Sequence, residues 1–155
     1  MVFKVENIER FQQAFAEAPR ITIEEIGYAL EKSARIVEGE AIRQAPFGAT
    51  GFLRDSIGYE LRPLEASVFS IAKYAPYVHE GTRPHYPPIR ALKDWARRKL
   101  GDENLAFPIA RAISRRGTKG QPFLKSSVEK HKSDIVRFFN EALGKIVERI
   151  ATQSK

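Results

Sequence analysis

Apolar residues recur along this chain at helical spacing over most of its length and alternate only briefly in the middle. Residues 7–17 read as a short helix. After the break "APR", a longer helix is predicted with Thr22 as N-cap and Glu25 at its third position, the capping-box pattern. Ile23, Ile26, Leu30, Ala34, Val37 and Ala41 then recur at steps of three and four, so one apolar stripe runs on to Pro46. The segment "APFGATG" combines a proline with two glycines and must be a loop. Beyond it "SIGYELRP" puts Ile57, Tyr59 and Leu61 on one face of a strand. A turn at Pro63–Glu65 leads to "ASVFSIAKYA", rich in β-branched and aromatic residues, as its antiparallel partner.

The second half returns to the helical period. Ile89, Leu92, Trp95, Ala96 and Leu100 mark a helix stopped by Gly101, and a further short helix starts near Pro108, with Arg115 and Arg116 in its last turn and Gly117 beyond. "GTKGQP" reads as a basic, mobile loop, and from Leu124 to Thr152 the chain is helical again. In that last helix Ile135, Phe138, Phe139, Ala142, Leu143, Ile146, Val147 and Ile150 cover an arc of roughly 180°, wider than the stripe of about 100° that one core contact needs. The predicted plan is α+β: long amphipathic helices packed on a small antiparallel sheet, with a helical insertion before a long C-terminal helix, in a single domain over residues 1–155. The surplus face of the last helix calls for a neighbour, either another copy or the long N-terminal helix.

Between hairpin and insertion lies "YAPYVHEGTRPHYPP", Tyr74–Pro88. Pro76 suits the first position of a helical turn and Gly81 can supply the left-handed residue that ends it, so Tyr77–Glu80 is a one-turn knob. Pro84, Pro87 and Pro88 stiffen the backbone beyond the knob, which displays Tyr74, Tyr77 and Tyr86 with little entropy left to lose on docking. The plainer alternative is a corner packed into the core.

Composition narrows the setting. The 155 residues include no cysteine, which removes disulfides, thiolate metal sites and cysteine nucleophiles. Glu6, Glu9 and Arg10 interrupt any leader-like apolar run, and no window reaches the length of a membrane span, so synthesis in the cytoplasm and no membrane contact are expected. The net charge of +7 is uneven: residues 1–82 hold nine Lys and Arg against twelve Asp and Glu, and residues 83–155 hold seventeen against seven. Such a dipole suits nucleic acid, an acidic protein, or head-to-tail contact between copies.

Reactive constellations are weak. His79, His85 and His131 lack the spacing of a metal helix, and Asp55, Ser56 and His79 hold the ingredients of a triad without the strained elbow that would expose the serine. "GATGF", Gly48–Phe52, has the glycines of a phosphate loop but not its lysine. No catalytic, cofactor-binding or metal-ligating residue is assigned. Arg111, Arg115, Arg116, Lys119 and Lys125 surround Phe107 and Phe123, which keeps a nucleic-acid-binding module as the alternative function.

Three motifs in one order carry a resemblance: "APFGATGFLRDSI" (45–57), "YAPYVHEGTR" (74–83) and "QPFL" (121–124). Together they resemble the tail-completion or head-tail joining proteins, also described as minor tail components or virion morphogenesis proteins, of long-tailed bacteriophages. Thr50, Gly51, Leu53, Arg54, Ser56 and Ile57 match the first family motif; Tyr74, Ala75, Tyr77, Val78, Gly81 and Thr82 match the second; Pro122, Phe123 and Leu124 match the third. Ala49 stands where Asp or Lys is expected, and the insertion Ile89–Arg116 is longer than in the shortest relatives. The resemblance covers about residues 25–150. It implies a non-enzymatic virion protein without cofactors, forming a ring, six copies favoured, at the neck between connector and tail-tube proteins, where non-specific contact with packaged DNA is open to it. The residues assigned to its interfaces are Tyr74, Tyr77, Val78, Gly81, Thr82, Arg83, Tyr86, Arg115, Arg116, Lys119, Phe139, Leu143 and Val147.

Overall fold

The structure, a computed structural model, describes residues 8–48 and 50–153. Met1–Asn7, where the first predicted helix begins, and Ala49 lie outside the described residues. The elements run α1 (Ile8–Gln44), α2 (Phe52–Asp55), β1 (Ile57–Arg62), β2 (Glu65–Ser70), α3 (Ala75–Glu80), β3 (Gly81–Thr82), α4 (Ile89–Leu100), α5 (Ala106–Arg116), β4 (Thr118–Lys119), α6 (Phe123–Lys130) and α7 (Lys132–Gln153). β1 pairs with β2 and β3 with β4, which makes the α+β plan explicit. Among the described residues no helix is long and apolar enough to cross a membrane.

Two predicted helices are one. α1 runs through Pro19: a proline's fixed φ is helical, so the helix continues although the residue gives up its own N–H and its ring crowds the carbonyl four residues back. The Glu17–Arg20 ion pair at 2.7 Å spans the spot. Thr22 is therefore not an N-cap: its hydroxyl donates to the Ala18 carbonyl at 2.7 Å, inside the helix. The buried line on α1 keeps Ala34, Val37 and Ala41 of the predicted stripe but begins with Ile21 and Ala29, while Ile23 is 54% exposed. Glu25, Ser33 and Glu40 are buried within this line, which broke the apolar pattern. Each has a partner: Glu25 pairs with the distant Arg149, the Ser33 hydroxyl donates to the Ala29 carbonyl, and Glu40 pairs with Arg43.

The chain forms two compact units, each from separate stretches of sequence. One contains residues up to Ile36, Tyr59–Ser67 and Lys130 onward; the other contains Val37–Gly58 and Val68–Glu129. In the first, α7 lies antiparallel to α1, since Arg149 bonds Glu25 and Glu24 at 2.6 and 3.0 Å whereas Lys32 reaches back to Glu141 at 3.4 Å. Ala29, Phe138 and Ala142 form the buried seam, with Ile36 and Phe139 packed against it. Lys32 and Arg137 lie over the Phe138 ring, 4.6 and 4.9 Å from its centroid, so cations close the apolar seam at its margin. The Glu25 and Glu24 carboxylates raise the Arg149 guanidinium still further above its usual range.

The single C-terminal helix expected from Leu124 is interrupted at His131, which separates α6 from α7. The His131 carbonyl takes the first bond of α7, from the Ile135 N–H at 2.9 Å, and Asp134 in the first turn reaches back to His131 Nδ1 at 2.9 Å. An acid there is also favoured by the helix N-terminus. The His131 ring and then the Arg137 guanidinium, bonded at 2.9 Å, hold the Asp134 carboxyl below its ordinary 3.8. A depressed carboxylate contributes its stability above the ordinary value and loses it as pH falls through the lowered one. Asp134→Asn should therefore lower the denaturant midpoint at pH 7, and its difference from the parent protein should shrink as pH is taken below 3.8.

Candidate assembly surfaces

In the second unit the core is one aromatic ring among small residues. Phe123 is 2% exposed and clusters with Ala41, Ala45, Leu53, Ile57, Ala72 and Ala75. All three sequence motifs feed this cluster. From the first, Leu53 and Ile57 are buried, Gly51 takes φ 78° beside the Phe47 ring, and Arg54 Nε donates to the Ala45 carbonyl at 2.7 Å, closing the end of α1. Ser56 is 5% exposed; its hydroxyl donates to the Leu53 carbonyl and lies 2.7 Å from the Ser70 hydroxyl. It is thus a strut at the start of β1. The His79 ring instead packs edge-on against Phe123 at 5.5 Å. Among the described residues no three His, Asp or Glu side chains converge as metal ligands would.

The second motif divides inside from outside at a step of three. Ala75 is buried and Val78 packs on the core, whereas Tyr74 and Tyr77, one residue earlier in each case, are 44% and 64% exposed. Pro76 lies in the first turn of α3, at its second position and not its first, since Ala75 opens the helix. Gly81 ends it with φ 82° and ψ −176°, not in the left-handed helical region, because the chain must extend at once into β3.

The basic loop expected to be mobile is fixed. Gly81 pairs with Lys119 and Thr82 with Thr118, antiparallel. The two threonine hydroxyls lie 2.9 Å apart, Gln121 N–H donates to the Val78 carbonyl at 2.8 Å, and Lys125 N–H donates to His79 Nε2 at 3.4 Å. Backbones come so close that a Cβ on Gly81, Gly117 or Gly120 would overlap Thr118, Thr82 or Glu80. This clasp joins the second motif to the third, and it presents Lys119 outward while Arg115 and Arg116 are exposed at the end of α5.

Beside the clasp runs an open groove of about 870 Å³. Tyr74, Tyr77, Val78, Thr82 and Lys119 line it, so five predicted interface residues share one surface. Trp95, Ile113 and Arg98 line it too. Trp95 was legible only as a helix-face residue, since nothing local links α4 to the knob. Arg83 and Gly81 border a second hollow of about 660 Å³ with Tyr77. Tyr86 is 64% exposed and lines neither. This unit carries fourteen Lys and Arg against eight Asp and Glu, so the positive surplus gathers here. In the other unit, on α7, Phe139 is half-buried, while Leu143 and Val147 are 55% and 68% exposed. The surplus apolar face read from the sequence is present.

These features define a helix-rich chain whose motifs build one core and leave two tyrosines exposed beside a groove. Residues 9–81 match the model of the family described as "Bacteriophage HK97-gp10, putative tail-component". The resemblance read from the motifs is borne out on this segment, which holds the first motif and nearly all of the second, and it supports a structural component of a phage tail. No curated protein and no solved structure matches the chain.

Two outcomes are expected from this geometry. Gly117→Ala should cost about 3 kcal/mol or more in unfolding free energy, since the strained φ and the Thr82 overlap act together. Tyr77→Ala should shift the melting temperature by less than about 5 °C, because most of the ring is in solvent.

Proposed function

We propose that the protein is a structural subunit of a phage or prophage neck that acts by assembly, forming a ring, six copies favoured, between the connector and the tail tube. The observation that carries this reading is the division of labour in the motifs. Their glycines, arginine, serine and small apolar residues are consumed in core and clasp, while Tyr74 and Tyr77 stand in solvent along a groove that Arg98 and Lys119 also line. Exposed rigid tyrosines next to a groove are what a protein interface uses. The exposed face of α7 supplies a second contact between copies. Replacing Leu143 and Val147 together with Glu should leave a folded chain of single-copy mass that no longer assembles, as seen by native mass measurement and negative-stain imaging. Unfolding, or an unchanged assembly, would count against an intersubunit α7.

A second reading has its own support. Arg111, Arg115, Arg116, Lys119 and Lys125 form a run of cations with no acidic residue between Arg111 and Lys125, suited to packaged DNA or to an acidic neighbouring ring. Neutralising Arg115, Arg116 and Lys119 should weaken particle joining most at low salt. Salt-dependent binding of generic duplex DNA by the purified protein at micromolar concentrations or tighter, lost in this variant, favours the nucleic-acid reading; ring formation without DNA favours the first.

A further inference from the structure

The tip of the β1–β2 hairpin carries an anomaly that the chain by itself does not explain. Pro63 and Leu64 connect the two strands, and Leu64 stands at φ 63°, the one non-glycine residue with positive φ among those described. A bulky side chain takes this left-handed backbone at a cost that glycine or asparagine would avoid. Yet Leu64 is 60% exposed and Leu61 beside it 41%, so packing inside the chain does not account for a leucine there. Strain held on a displayed apolar side chain points to a contact made outside the chain. The hairpin is a firm mount for such a contact, since the Arg35 guanidinium lies over the Tyr59 ring, 5.8 Å from its centroid.

The groove beside the clasp offers the converse. Val78, Trp95 and Ile113 line it half-buried and Tyr74 and Tyr77 exposed, while no residue of the hairpin takes part. Its volume of about 870 Å³ holds a turn of chain and not merely one side chain. Asp94, the acid in its lining, is held by Arg97 at 3.0 Å, which leaves Arg98 and Lys119 to set its charge. At the tip the sign is reversed: Arg62 is held by Glu60 at 3.3 Å, and Glu65 at the start of β2 adds a second carboxylate.

We propose that the hairpin tip of one copy seats Leu61 and Leu64 in the groove of the next, with Glu65 directed toward Arg98 and Lys119. The inference rests on the reading of the groove as a contact between copies and names what fills it. Tip and groove are different surfaces, so the contact is head-to-tail: each copy gives one tip and receives one, and repetition closes into a ring when the rotation allows. The apolar pair supplies affinity, and the charges fix direction, because two tips brought together would set Glu65 against Glu65.

The chain has no cysteine, so single thiols report the contact directly. Leu64→Cys at the tip and Ala91→Cys in the groove are made singly in the full chain and oxidised at micromolar concentration, with Lys145→Cys on α7 as the reference for random collision. Once mixed, the two should link to each other at least tenfold faster than either links to itself or to the reference. The chain carrying both substitutions should give a ladder of covalent multimers ending at a closed ring. Preferential self-linking of Leu64→Cys, linking no faster than the reference, or a bond formed within single doubly substituted chains would each overturn the proposal. Leu64→Asn tests the tip without thiols: asparagine accepts the left-handed backbone, so the melting temperature should hold or rise while self-association weakens at least tenfold. A clear fall in melting temperature, or unchanged association, would overturn the role of Leu64. Glu65→Lys should weaken association too, and Lys119→Glu in the same chain should restore it; failure to restore would overturn the assigned direction. Joining of heads to tails by complementation is scored separately. Head-to-tail linking in a protein that never enters particles keeps the contact and refutes the tail reading. Joining that survives Leu64→Asn, with tip and groove unlinked, sinks the contact and spares that reading.

Discussion

One aromatic ring organises the second unit. Phe123 is the largest side chain in its core, and four of the six residues clustered with it are alanines. A core built this way brings backbones, not side chains, into contact, because alanine adds little thickness between elements. It follows that the end of α1, the start of β1, the knob and α6 must all lie close to one point, and their remaining polar groups must be satisfied at short range. Arg54 closing α1 and the Ser56–Ser70 hydroxyl pair are local answers to that crowding.

Crowding inside also sets what appears outside. With small residues taking the inner positions of α3, its tyrosines have no room in the core and are displayed instead. The glycines of the clasp repeat the principle: by surrendering side chains they let two strands of two residues meet, and the cations next to them are held on a fixed backbone. The same residues that stabilise the unit thereby fix the geometry of its surface. Burial and display are two aspects of one packing choice.

The sequence was most informative where periodicity is long. α4 and the hairpin stand where the apolar pattern put them, the last stretch is helical as expected though split at His131, and the excess arc on α7 shows as exposed Leu143 and Val147. It misled where one residue has two chemistries. Thr22 can accept a bond as a cap or donate one inside a helix, and only the continuous ladder through Pro19 decides. Glu25 looked like a capping partner because the arginine that neutralises it lies at position 149. The β3–β4 pair was invisible for a related reason: two residues on each side carry no pattern, and their partners are far apart in the chain. Glycines 81, 117 and 120 marked the place, yet turns and close contacts use the same residue. The clustering of Trp95 with Tyr74 and Tyr77 likewise depends on tertiary path alone.

The clasp has one further consequence. Because Thr82 and Thr118 are hydrogen-bonded neighbours, residues 83–117 leave the fold and return to it at the same place. Closure of this excursion is borne by the clasp and not by its own length, and the entropy of a closed loop grows only with the logarithm of its size. The core around Phe123 draws no residue from it. Evolution can therefore treat α4 and α5 as a cassette, lengthened, trimmed or exchanged between relatives while the doorway stays fixed. Recombination between residues 84 and 116 would alter what the groove meets while leaving the Phe123 cluster intact.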